Sequence, residues 1–99
     1  MEFRRKKILV ADDSQTHLTY MAIILKRMGF TVIPAKNGPE VIKLLPLTEP
    51  DIVMLDILVN GTNGNNVLDY IKENKETSHI PVIMVSQDGR DEASERCKA

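Results

Sequence analysis

Apolar residues along this chain fall into runs of two alternating kinds. Ile8, Leu9, Val10 and Ala11 are apolar without interruption and stop at Asp12-Asp13-Ser14, the pattern of a strand covered on both faces. From Gln15 the period lengthens. Leu18, Met21, Ala22, Leu25 and Met28 recur three and four apart, which predicts a helix with these side chains as its core-facing stripe. Asp13 or Ser14 can cap its start, and Gly29 follows its end. Thr31-Val32-Ile33 is β-branched throughout and reads as a second strand. Asn37-Gly38-Pro39 then makes a turn with a proline suited to a first helical position, leading into the helical pattern of Val41, Ile42, Leu44 and Leu45. Pro46 and Pro50 bracket the next connection, and Ile52-Val53-Met54-Leu55 runs apolar straight into Asp56 as a third strand.

The segment Asn60-Gly61-Thr62-Asn63-Gly64-Asn65-Asn66 is polar, and the residues after it turn helical, with Val67, Leu68 and Ile71 on one face up to about Asn74. That context makes it a strand-to-helix loop and not a hairpin turn. Ile80-Pro81-Val82-Ile83-Met84-Val85 reads as the fourth strand, stopping at Ser86, and residues 91–99 begin a polar helix. Strands alternating with helices imply right-handed crossovers and an α/β fold, a doubly wound parallel sheet. Parallel strands share one carboxyl-terminal edge, where open α/β sheets bind ligands. Asp12, Asp13, Asp56 and Ser86 all fall on it.

Composition narrows the field. Ninety-nine residues fit one domain with a modest core. A formal charge of −1 argues against a strongly basic nucleic-acid binder, and 42% hydrophobic with 27% charged residues matches an ordinary globular protein. The longest apolar runs are far too short to cross a bilayer. The basic run Arg4-Arg5-Lys6-Lys7 precedes too short an apolar stretch for a signal peptide. A single cysteine, Cys97, offers neither a disulfide nor a cysteine-rich metal site, so a reducing, cytoplasmic setting is expected.

Three acids gathered with no lysine or arginine in the same loops repel one another unless a cation sits among them. A site of carboxylates and backbone, without imidazole or thiolate, suits Mg²⁺ and not zinc. With that charge screened, one carboxylate can attack phosphorus in line, since phosphoryl transfer asks mainly for positioning and electrostatic relief. Asp56, alone at its strand end behind apolar residues, is the natural nucleophile, while the adjacent Asp12 and Asp13 suit a metal. The Ser86 hydroxyl can then hydrogen-bond a phosphoryl oxygen.

These residues, in this order, resemble the response-regulator receiver domains of two-component phosphorelays. Ile8-Leu9-Val10-Ala11-Asp12-Asp13-Ser14 is similar to the family's opening acidic strand, Pro50-Asp51-Ile52-Val53-Met54-Leu55-Asp56 to its phosphoacceptor strand, and Ile80-Pro81-Val82-Ile83-Met84-Val85-Ser86 to its switch strand. The resemblance implies a flavodoxin-like fold with strand order 2-1-3-4. It implies that Asp56 takes phosphate from a histidine kinase or phosphotransfer protein. It assigns Asp13 to Mg²⁺ directly, Asp12 through water, the Leu58 carbonyl to the metal and the Ser86 hydroxyl to the phosphoryl group. By the same resemblance, Leu58 and Asp88 are expected to occupy the family's variable positions that tune how fast the aspartyl phosphate hydrolyses. The family's fifth strand, its lysine and its last helix would follow Ala99, so residues 1–99 are expected to form a C-terminally incomplete receiver domain. Such a chain is expected to self-associate through the bare edge of residues 80–85, with apolar surface under Met21 and Leu25. An output domain or effector protein is the expected reader of the switched surface, with no membrane and no nucleic acid bound by this domain.

Two departures and two other functions stand beside this. Val59-Asn60 replaces the family's usual methionine-proline, and Gln87 replaces a small residue after the switch hydroxyl. A non-phosphorylated receiver-like interaction module therefore remains an alternative. A Mg²⁺-dependent phosphohydrolase is the other, but it wants a second acid two residues after the nucleophile, where this chain has Leu58; a role other than that of an enzyme is expected. No glycine-rich fingerprint for a nucleotide cofactor follows the first strand. His17 and His79 read as solvent-facing.

Overall fold

The computed structural model describes residues 5–60 and 66–85. In chain order the elements are β1 (Lys7–Ala11), α1 (Gln15–Arg27), β2 (Thr31–Ala35), α2 (Gly38–Thr48), β3 (Ile52–Asp56), α3 (Ile57–Asn60), α4 (Val67–Glu73) and β4 (Val82–Val85). The four strands form one parallel sheet in the order β2-β1-β3-β4. The doubly wound sheet expected from the alternation is therefore the fold observed. The helical beginning expected over residues 91–99 lies outside the described residues.

Side chains that alternate along β1 divide the core between the two faces of the sheet. Ile8 and Val10 pack with Leu18 and Leu25 of α1, backed by the partly buried Met21 and Met54. Leu9 and Ala11 point the other way, into the larger cluster that α2 and α4 cover with Val41, Leu45, Val67 and Ile71. Two-sided burial explains why β1 is apolar from Ile8 to Ala11. The α1 stripe differs from expectation at its end: Met28 is the C-cap and is 66% exposed, because the helix stops before that turn can reach the sheet. Leu25 is buried, so the bare apolar surface expected beneath it is covered; Met21 is only partly so.

Local chemistry fixes the helix ends. Ser14 caps α1 by accepting from the His17 amide, and Gly29 follows at φ +99°, where a Cβ would be strained. Asn37 Oδ1 accepts from the Glu40 amide at 2.8 Å, while Glu40 reaches back to the Lys36 amide at 2.9 Å. Pro46 lies inside α2 instead of ending it. The ring is exposed, Leu45 beside it is buried, and so the last turn stays docked despite the lost N–H. β2 continues through Pro34, which is tolerated because β2 is an edge strand. β4 begins at Val82, two residues later than expected, since Ile80 is spent in the turn bonded to Thr77 and Pro81 has no N–H to offer. The short α3 is not foreseen from the sequence, where of its four residues only Asn60 is assigned, to the following loop, because four residues carry no periodicity long enough to reveal a single turn.

Candidate functional site

Register brings the acids together. Ala11 pairs with Leu55 across β1 and β3, so Asp12 and Asp56 leave the sheet side by side. The Asp12 amide still donates to the Ala35 carbonyl at 3.0 Å, which ties the turn after β1 to the end of β2. Asp12, Asp13 and Asp56 each offer a carboxylate oxygen within 4.8 Å of the others. They grade from exposed Asp13 through Asp12, 6% exposed, to Asp56, 0% exposed. The deepest carboxylate is thus within 4.8 Å of one that meets solvent.

Asp12 and Asp56 are each oriented by the backbone that follows them. The Ser14 amide donates to Asp12 Oδ1 at 2.9 Å, and the Leu58 amide donates to Asp56 Oδ1 at 2.7 Å. Both are hydrogen bonds from residue i+2, set up where a strand turns into a helix. Folding Ile57–Asn60 into α3 is what points the Leu58 amide back at Asp56. Leu58 itself is 60% exposed. Ser86 lies outside the described residues, as do Gln87 and Asp88; β4 reaches Val85, which pairs with Asp56.

His17 was not foreseen at the site. Its Nδ1 lies 3.4 Å from Asp12 Oδ2, with 44% of its side chain exposed. The signal was present but weak: His17 is the third residue after the Ser14 cap, a position that folds back over the residues preceding the helix. His79, exposed at the other end of the sheet, fits the solvent-facing reading. A hollow of about 270 Å³ adjoins Asp12 and His17, walled by Tyr20, Met21, Met54 and Val85. A larger groove of about 630 Å³ runs beside Pro46, Tyr70 and His79, at the opposite end of the strands from the acid cluster. Its size carries less weight than the convergence of the carboxylates.

An all-oxygen donor set with these separations fits a hard divalent cation such as Mg²⁺. The profile of a known family, described as the response regulator receiver domain, matches residues 8–99. The chain belongs to the response-regulator receiver family. Protein PilH of Pseudomonas aeruginosa is 36% identical over 80 residues, covering 81% of this chain and 66% of that protein. The crystal structure of the N-terminal domain of a response regulator receiver protein from Methanoculleus marisnigri is 33% identical with a TM-score of 0.73, covering 89% of this chain and 76% of the other. A putative response regulator from Chloroflexus aurantiacus gives a TM-score of 0.82 at 22% identity, over 96% and 78% of the two chains, and so supports the fold. This receiver domain spans about two thirds or less of the length of the curated relatives it matches first. Receiver domains are in general signalling modules and not enzymes, and they typically bind Mg²⁺ at an acidic pocket. Among the described residues, no helix is long and apolar enough to cross a membrane.

Proposed function

We propose that this receiver domain is a phosphorylation switch in which Asp56 accepts a phosphoryl group. The convergence of Asp12, Asp13 and Asp56 within 4.8 Å is the single observation that carries the reading. An Asp56 carboxylate oxygen forms the new bond to phosphorus, the bond from phosphorus to the donor breaks in line, and the donor leaves with that electron pair. For a phosphohistidine donor on a kinase or phosphotransfer protein, the leaving group is the imidazole. Burial of Asp56 and the amide of Leu58 on its Oδ1 hold the nucleophile in one orientation. The exposed Asp13 marks the side from which ion and donor enter.

Asp12, Asp13, Asp56 and the Leu58 carbonyl would hold the Mg²⁺, with Asp12 acting through water. When bound, the ion offsets the negative charge of the carboxylates and of the incoming phosphoryl group. Ser86, next after the Val85 partner of Asp56, would hydrogen-bond a phosphoryl oxygen. Drawing Ser86 inward changes the surface around β4, which an output domain or effector then reads. Incubating the chain with Mg²⁺ and a small phosphodonor should add one phosphate of mass, and Asp56→Asn should abolish the gain. A gain that persists in Asp56→Asn would refute Asp56 as acceptor. No gain under any donor would favour a non-phosphorylated interaction module.

A further inference from the structure

The groove of about 630 Å³ at the amino-terminal end of the strands is built from residues that take no part in the acid cluster. Buried Leu45, Pro50 and Ile80 line it, and the exposed Pro46 and Tyr70 stand along it. Its charged side chains are of one sign. Glu49, Asp51 and Glu76 all line it, and among the described residues no lysine or arginine does. The Glu49 and Glu76 carboxylates are exposed and, among the described residues, enter no salt bridge. The backbone adds to the same sign. Glu49 is the C-cap of α2 and Asn74 the C-cap of α4, so both helices bring their carbonyl ends, the negative ends of their dipoles, to the groove. Lysines from outside it already donate to carbonyls at this end: Lys7 Nζ to Thr48, and Lys72 Nζ to Ile80 at 2.9 Å.

From this combination we infer that the groove docks a basic segment of a partner protein, one that sets an apolar side chain beside lysine or arginine. An apolar floor alone would take any hydrophobic segment, and carboxylates alone would be solvated surface. Together they select a chain that carries both features. A groove of this volume takes a few side chains and not a folded domain. Because it lies at the far end of the sheet from Asp56, a segment held there leaves the acids open. Docking here requires neither Mg²⁺ nor phosphorylation.

The test is fluorescence anisotropy of a labelled, end-blocked pentapeptide, Lys-Leu-Arg-Leu-Lys, titrated with the 99-residue chain at low salt and at a pH near 8, above the ordinary imidazole range. Saturable binding is expected. Glu49→Lys and Glu76→Lys should each weaken it by about tenfold, since a like charge then faces the cations of the peptide. Both side chains are exposed, so thermal unfolding of these variants should match the parent. Thr16→Lys combined with Thr19→Lys, at exposed positions of α1, adds the same net charge as one of those reversals and should leave the affinity at the parent value. The peptide Lys-Ser-Arg-Ser-Lys, which cannot cover the apolar floor, should bind about tenfold more weakly or worse. No binding by the parent, parent-like affinity in either glutamate reversal, an equal loss in the double threonine variant, or equal affinity for the serine peptide would each overturn docking at the groove.

Discussion

Ser14 serves two ends at once. Its hydroxyl accepts the His17 amide as the cap of α1, and its own amide orients Asp12. Removing the hydroxyl leaves an unpaired amide in the first turn, so Ser14→Ala should lower stability by about 1 kcal/mol, toward the low side because the 3.3 Å bond is long. A shift in urea midpoint at unchanged slope would measure it, and an unchanged midpoint would show that the cap is dispensable. The cap was legible from the residue type and the apolar period that follows. The contact from His17 to Asp12 was not, because it depends on the side-chain rotamer and on the turn between β1 and α1, neither of which sequence spacing specifies. Asp56 lies between these cases: its place at a strand end was readable, its complete burial and the Leu58 amide on its Oδ1 were not.

Strands and long helices were foreseen within a residue or two wherever a run of apolar positions had one clear period. Failures cluster where one residue type competes with tertiary anchoring. Pro46 reads as a helix stop, but buried Leu45 keeps α2 against the sheet until Glu49, which ends it in the left-handed region at φ 46° and ψ 62°. A side chain with a Cβ is disfavoured there. Glu49→Gly should therefore stabilise the chain by about 0.5–1 kcal/mol, once the greater freedom of glycine in the unfolded state is offset. Thermal or urea unfolding would read the gain, and a loss would mean that the Glu49 side chain contributes more than its backbone costs.

At the scale of the whole molecule, the two faces of the sheet are unequal. Among the described residues, α2 and α4 cover one face over a large cluster, while α1 alone covers the other over Ile8, Val10, Leu18 and Leu25. Among the described residues β4 pairs with β3 alone, and Ile83 on it is 45% exposed. An edge strand with open backbone groups and an apolar side chain invites pairing with another chain. The 99-residue chain should therefore sediment as dimers or larger species at micromolar concentration, and Ile83→Lys should shift it toward monomer. A parent chain that stays monomeric throughout that range would count against association through β4.

Sequence by itself determined the alternation of strand and helix, hence a parallel α/β sheet, and it determined that acidic residues end β1 and β3. Those features follow from hydrophobic period and turn chemistry, which act over a few neighbouring residues. Tertiary structure decided the rest. Only the register of β1 against β3 brings Asp12 and Asp13 to within 4.8 Å of Asp56, and only the folding of α1 and α3 over the sheet edge turns the His17 ring and the Leu58 amide toward those acids. Distances between groups more than forty residues apart are set by how whole elements pack, which no local pattern encodes.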